Sequence, residues 1–247
     1  MNRLTKNVYK LAEKFVRNFV PELNKSDRSS LFYLLEKKSV EEAANYIYNN
    51  MGSALRFQNR YEYIEFVISK LVLDGELLEF GVGGGTSINQ IAGIVDREVH
   101  GFDSFEGLPD DGILGSATLN KNSGMKWFAG KVKHSAPQVK TNVILHKGWF
   151  EDTIPDFLQS FSKRIALLHI DCDIYSSTKT VFHYFGKYIT PGTIIMFDEY
   201  FGYYGWPYNE FKAFREFVAE YSVTYEYIAY SGSGEAAVRI KSLSGKP

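Results

Sequence analysis

The chain predicts an α/β fold built on an open, mainly parallel sheet. From Glu76 onward short apolar runs alternate with helical stretches, the first run enters a glycine-rich turn, and the last two runs form a hairpin. Glu76 to Phe80, Val99 to Asp103, Asn142 to His146, Ile165 to Asp171 and Thr193 to Phe197 read as parallel strands. Val223 to Tyr230 and Ala236 to Lys241, separated by S-G-S-G-E, read as an antiparallel pair. That makes a seven-stranded sheet with a terminal hairpin, which differs from the two symmetrical halves of a dinucleotide dehydrogenase.

The first 75 residues read as an N-terminal helical extension, 1–75, ahead of a ligand-binding domain, 76–247. Leu4, Val8, Leu11, Phe15, Val16 and Phe19 recur at helical spacing before Pro21, with Arg3, Lys6, Lys10, Lys14 and Arg17 on the other face. This pattern predicts a packed helix with a solvated basic face; a membrane-surface helix is the alternative reading. Ser39 and Glu42 have capping-box spacing and predict a second helix from Ser39 to about Asn49. A third, from about Asn59 to Val72, presents Tyr61, Ile64, Phe66, Val67, Ile68 and Leu71 to neighbours. The apolar surface of these helices favours a homodimer. The one long stretch without periodicity, 106–138, reads as a lid over the ligand crevice.

Composition narrows the function. A chain of 247 residues with 45 % hydrophobic content supports one sizeable domain with an appendage. Its net charge of −1 gives no electrostatic reason to expect nucleic acid. The single cysteine, Cys172, rules out an intrachain disulfide and, with no secretion signal evident at the start, predicts a cytoplasmic protein. No apolar run approaches the roughly 20 residues of a membrane span.

Open parallel sheets bind ligands at the carboxyl ends of their strands, so those ends form one constellation. The first carries Glu79 and the turn through Gly81, Gly83, Gly84 and Gly85, with a helix starting at Thr86 and Ser87. Glycines let a ligand approach the backbone, and the first helical amides point unpaired N–H groups at it. Nucleotides, dinucleotides and S-adenosylmethionine all use such turns. About twenty residues on, Asp103 stands where an acid commonly meets ribose hydroxyls. At the third end Gly148 admits close approach, and Trp149 or Phe150 could flank an adenine. The fourth and fifth ends gather Asp171, Asp173, Asp198 and Glu199. Adjacent carboxylates repel unless protonated, hydrogen-bonded or neutralised by a cation, and an all-oxygen set suits Mg²⁺ or another hard divalent ion. His146, His169 and His183 are weaker candidates as bases, since the first two lie within strands and the third within a helix.

The succession E-F-G-V-G-G-G-T-S, G-F-D-S-F-E-G-L-P, K-G-W-F-E-D-T-I-P, H-I-D-C-D-I-Y-S-S-T and P-G-T-I-I-M-F-D-E-Y resembles the macrocin O-methyltransferase-like family of class I S-adenosylmethionine-dependent methyltransferases, whose fold is Rossmann-like. The resemblance covers Glu79 to about Tyr200, and D-S-F-E-G-L-P is its most specific part. It implies a metal site at Asp171, Asp198 and Glu199 and a general base at Asp173. It implies cofactor contacts at Glu79, Gly81, Gly83, Gly85, Thr86 and Ser87, then at Asp103, Ser104 and Phe105, and at Gly148, Trp149 and Asp171. One position departs from the family: the second acid of the pair is commonly Asp, and here it is Glu199.

The function expected from this resemblance is Mg²⁺-dependent methylation, by S-adenosylmethionine, of a hydroxyl on a sugar or glycosylated natural product. The partner is then a small-molecule or glycan acceptor. Reading D-C-D as the metal motif of a sugar-nucleotide glycosyltransferase leaves the glycine turn unexplained; a cofactor-binding protein without catalysis is a further alternative. The aromatic segment Tyr200 to Tyr208 is a candidate platform for the acceptor.

Overall fold

A computed structural model describes residues 31–109, 135–161 and 164–245. In chain order the elements are α1 (Leu31–Asn50), β1 (Leu55–Phe57), α2 (Arg60–Ser69), β2 (Glu76–Phe80), α3 (Thr86–Ile94), β3 (Val99–Asp103) and β4 (Val143–Lys147). They continue with α4 (Phe150–Ser160), β5 (Ile165–Ile170), α5 (Tyr175–Phe185), β6 (Ile194–Phe197), α6 (Glu210–Glu220), β7 (Thr224–Ser231) and β8 (Ala236–Ser242). The strands make one sheet in the order β1-β7-β8-β6-β5-β2-β3-β4, parallel except where β8 pairs with β6 and β7.

The expected seven strands are present within one or two residues of their predicted bounds, and an eighth joins them. Leu55–Phe57 pairs in parallel with β7 at the sheet edge. With three residues and no buried side of its own, it leaves no alternation to read. A second difference is Ser39, predicted to cap a helix. The helix runs through it, and its hydroxyl donates to the Leu35 carbonyl at 3.0 Å. The Leu, Glu and Lys residues ahead of Ser39 are strong helix formers, and continuing the helix outweighs the local stop. Asn59 does act as an N-cap, its side chain accepting from the Tyr61 amide at 2.7 Å, and α2 starts where expected. The helix expected over Leu4 to Val20 lies outside the described residues, as do 110–134 of the expected lid.

Apolar side chains cover both faces of the sheet. Leu77, Leu167, Ile194 and Met196 meet α2 and α3 on one side. Their strand neighbours Leu78, Leu168, Ile195 and Phe197 meet α1, α4, α5 and α6 on the other. All six residues of β5 are buried, as a central parallel strand requires. Each fully buried Leu or Ile contributes roughly 1.5–3 kcal/mol against exposure. No helix among the described residues is long and apolar enough to cross a membrane.

Register brings the site together. Phe80 pairs with both Phe102 and Ile170, and Ile170 with Phe197. The ladder then continues one residue further: the Gly81 amide donates to Phe102 at 2.9 Å, Asp171 to Phe80 at 2.8 Å and Asp198 to Ile170 at 2.9 Å. The glycine turn and two acids are therefore set side by side by backbone pairing alone. Gly81 has φ +92°, and a Cβ there would sit 1.7 Å from the Asp171 carbonyl oxygen. Gly83, at φ +49°, has nothing within 4 Å of such a Cβ.

Two outcomes follow. Gly81→Ala should lower stability by at least about 2 kcal/mol, or roughly 4–8 °C in Tm, while Gly83→Ala costs about 1 kcal/mol. Similar melting points for the two variants would refute this account of the turn. His146, stacked on Phe102 at 4.4 Å and 3.1 Å from His100, is pushed from 6.5 down to about 4 by burial and by His100. Between those values the unfolded chain binds a proton that the native one refuses, so this contribution is complete above 6.5 and is lost as pH falls towards 4. In thermal melts at about pH 7 and about pH 5, His146→Phe, which preserves the stack, should lose less stability than the wild type; equal losses would count against it.

Candidate active site

Backbone amides of the glycine turn converge on Asp103. Its Oδ2 accepts from Val82 and Gly83, each at 2.8 Å, and its Oδ1 accepts from Phe105 at 2.7 Å. The acid predicted to meet ribose thus also clamps the turn to β3. Each carboxylate oxygen has two lone pairs, so acceptor capacity is left, and Asp103 lines the cavity above.

That cavity measures about 560 Å³. Of the predicted cofactor contacts, the glycine turn and α3 supply Gly81, Gly83, Thr86 and Ser87 as one wall. The segment after β3 supplies Ser104 and Phe105, and the ends of β4 and β5 supply Gly148, Trp149 and Asp171. The Trp149 indole is 38 % exposed, open to a planar partner. The predicted base Asp173 lines the same space, as do Gly107, Leu108 and Pro109 at the start of the expected lid. Gly83 and Gly84 leave open the volume their Cβ atoms would fill, which fits a bound methyl donor approaching the backbone.

Glu79 and Gly85 are not on this wall. Gly85, at φ +79°, lies against Pro137 and starts α3. Glu79 is fully buried beneath the turn, with Oε1 accepting from the Ser87 hydroxyl at 2.9 Å and Oε2 held 2.9 Å from His169 Nδ1. The position expected to touch the cofactor instead supports the turn from below. Burial would push the His169 imidazole down, but Glu79, Asp198 and Asp171 outweigh it and hold it at about 10. His169 is therefore a charged group within the core.

The acids at the ends of β5 and β6 fall into two overlapping groups. One oxygen each from Asp171, Asp173 and Glu199 lies within 4.8 Å of the others, and the same limit joins His169, Asp171 and Asp198. The predicted metal trio Asp171, Asp198 and Glu199 is thus divided, with Asp171 common to both groups. Arg60, the first residue of α2, spans the second group: Nη1 donates to Asp198 Oδ2 at 3.0 Å and Nη2 to Asp171 Oδ2 at 3.2 Å. Its Nε is 4.0 Å from Glu235 on the β7–β8 turn.

Electrostatics follow this division. Burial would raise Asp198, but a hydrogen bond with His169 and the Arg60 charge hold it below the usual carboxylate range. Burial and the Asp198 charge push Asp171 well up and carry Asp173 to about 7. Glu199 is pushed up by burial and by Asp173 and Asp171. Asp173 also adopts φ +68°, a left-handed backbone costing about 1 kcal/mol in a residue other than glycine. Among the described residues Glu199 Oε2 is buried without a hydrogen-bond partner. A close oxygen set with raised pKa values and an orphaned acceptor fits a hard divalent cation.

Arg60 and Glu210 were not singled out from the sequence. Glu210 opens α6, is fully buried, and accepts from the Glu199 amide at 3.2 Å. The aromatic segment was read as an acceptor platform, yet Tyr200, Phe201 and Trp206 are core residues and none of the segment lines the cavity. Tyr200 donates or accepts at the Tyr227 hydroxyl, 2.7 Å away, and Trp206 packs edge-on to Phe211.

Comparison with known proteins agrees with this geometry. The chain is 28 % identical over 160 residues to the 8-demethyl-8-(2,3-dimethoxy-alpha-L-rhamnosyl)-tetracenomycin-C 4'-O-methyltransferase of Streptomyces olivaceus, spanning 57 % of this chain and 60 % of that one. It is 30 % identical over 161 residues to the demethyldecarbamoylnovobiocin O-methyltransferase of Streptomyces niveus, spanning 59 % of this chain and 60 % of that one. The matched stretch is thus under two thirds of either relative's length. The fold is that of the calicheamicin methyltransferase CalS11, with a TM-score of 0.58 and 21 % identity over 90 % of this chain and 95 % of that chain. It is likewise that of the O-methyltransferase NovP, with a TM-score of 0.54 and 22 % identity over 74 % and 79 %. The family described as Macrocin-O-methyltransferase (TylF) matches residues 5–225. The chain therefore belongs to the macrocin O-methyltransferase family.

Proposed function

We propose that this protein is an S-adenosylmethionine-dependent O-methyltransferase, assisted by Mg²⁺, that methylates a hydroxyl of a sugar or glycosylated natural product. The observation that carries the reading is that the glycine turn and the acids Asp171 and Asp173 share one cavity. Family membership supports methyl transfer, and the two relatives named for glycosylated antibiotics support the acceptor class. The exposed Leu31, Leu34, Val40 and Tyr48 on α1 support a homodimer.

When bound, S-adenosylmethionine supplies a methyl group already activated on a sulfonium, and Mg²⁺ supplies a Lewis acid that makes a hydroxyl more acidic. What the chain supplies is position and a proton acceptor. The open backbone at Gly83 and Gly84 and the amino end of α3 would receive the polar part of the donor, Asp103 would accept from ribose hydroxyls, and Trp149 would flank the adenine. Asp171, Asp198 and Glu199 would hold the cation, with Glu199 contributing the oxygen that has no hydrogen-bond partner among the described residues. Asp173 accepts the acceptor hydroxyl's proton as that oxygen takes the methyl group and the methyl–sulfur bond breaks, leaving S-adenosylhomocysteine. Its pKa near 7 gives it enough basicity to do so. Alignment of the reacting atoms supplies roughly 7–11 kcal/mol of the barrier.

Asp173→Asn should lower kcat by about 10²–10⁴-fold while leaving S-adenosylhomocysteine affinity, read by calorimetry, close to wild type. Unchanged turnover would remove Asp173 from the role. Asp171→Asn should raise the Mg²⁺ needed for half-maximal turnover by roughly tenfold or more, and a chelator should abolish wild-type turnover. Full activity in chelator, on a panel of sugar and glycoside acceptors, would eliminate the metal.

A further inference from the structure

Arg60 lies far from the glycine turn in function and from the acids in sequence, yet its guanidinium is seated across both Asp171 and Asp198. Those are two of the acids assigned to the cation. A second contact of Nη2 with Asp198 Oδ1 is 2.5 Å long, so the fork engages both oxygens of that carboxylate. Among the described residues the cations in contact with these two acids are Arg60 and His169. They differ in freedom. His169 is fully buried and held by Glu79, whereas the Arg60 side chain is 38 % exposed and lines the cavity. One compensating charge is fixed; the other can leave.

We propose that Arg60 is the resident counter-cation of the metal site: its guanidinium and a divalent ion neutralise Asp171 and Asp198 in alternation, so that metal binding releases Arg60 towards the cavity. The inference rests on the metal-assisted reading above. Its physical basis is that a neighbouring cation stabilises two buried acids held this close, and two cations cannot both occupy the lone pairs facing one another between β5 and β6. Arg60 also ties α2 to the strand ends and the β7–β8 turn, through Asp171, Asp198 and Glu235. Loading the site exchanges that tie for metal coordination. Arg60 therefore sets the metal concentration at which the site fills.

The test is titration of MgCl₂ by calorimetry into full-length protein saturated with S-adenosylhomocysteine, for wild type, Arg60→Gln, Arg60→Met and Arg60→Lys. Affinity for S-adenosylhomocysteine, measured separately, certifies that each variant is folded. Removing the competing charge should tighten Mg²⁺ binding by about tenfold in the Gln and Met variants, with Lys between them and wild type. Mg²⁺ should also raise Tm more in the Gln and Met variants than in wild type. Mg²⁺ bound by the variants alone supports the proposal as well. Equal or weaker Mg²⁺ affinity in folded variants, beside measurable wild-type binding, overturns the role of Arg60 and leaves the metal reading standing. No Mg²⁺ binding by any form, with S-adenosylhomocysteine bound by all, overturns both.

Discussion

The pairing of Glu79 with His169 inside the sheet is the interaction on which the rest of the site depends. The two stand opposite each other on β2 and β5, with Nδ1 and Oε2 2.9 Å apart and almost no solvent exposure. Either charge alone would cost several kcal/mol to bury, so each is tolerable only in the presence of the other. The pair then acts in two directions. Through Ser87 it fixes the first turn of α3, and with it the glycine turn. Through His169 Nε2, 3.9 Å from Asp198, it reaches the acids at the strand ends and helps to hold Asp198 below the usual carboxylate range. One buried ion pair thus sets both the donor side and the acidic side of the cavity.

Backbone register explains why the acids can be so close. Asp171 and Asp198 each donate an amide to the strand beside them and are placed as ladder residues, not as free loop residues. Their mutual repulsion is offset by hydrogen bonds within the sheet and by cations, and does not push the strands apart. Gly81 completes this arrangement, because only a residue without Cβ fits beside the Asp171 carbonyl. The glycine is needed for packing against an acid as much as for ligand access.

The strands and their ligand-bearing ends were legible because their information is local: an apolar run ends, and an acid or glycine follows it. Asp171 and Asp173 meet the turn in one cavity as that pattern predicts. What was not legible depends on distance along the chain. Arg60 reaches acids 111 and 138 residues away, and in sequence it is simply the charged residue after a cap. Glu79 was read as a ligand contact because its motif position suggests one; its burial depends on His169, 90 residues later. The capping box at Ser39 failed for the opposite reason, since a local signal was overridden by the helix-forming residues around it. In the aromatic segment Tyr200, Phe201 and Trp206 pack in the core while Tyr208 is exposed, a division the sequence does not reveal because stacking on a sugar and packing in a core call for the same side chains.

Glu199, where the family commonly has Asp, shows how one methylene can redistribute a site. Its oxygen groups with Asp171 and Asp173, the two acids that line the cavity, whereas Asp198 groups with His169 and is bridged by Arg60. A shorter Asp side chain would reach less far from the end of β6. The longer Glu carries charge towards Asp173, and Glu210 steadies the backbone beneath it by accepting the Glu199 amide. Burial, Asp173 and Asp171 raise Glu199, whereas a hydrogen bond with Glu199 lowers Asp173, whose rise comes from burial and the Asp198 charge. Asp173 is a poorer proton acceptor the lower its pKa, so the extension that enlarges the oxygen cluster works against the basicity that burial and Asp198 give Asp173. The departure from the family's usual pair therefore moves a carboxylate oxygen to the cavity side, while Asp173 owes its raised pKa to burial and Asp198 and not to Glu199.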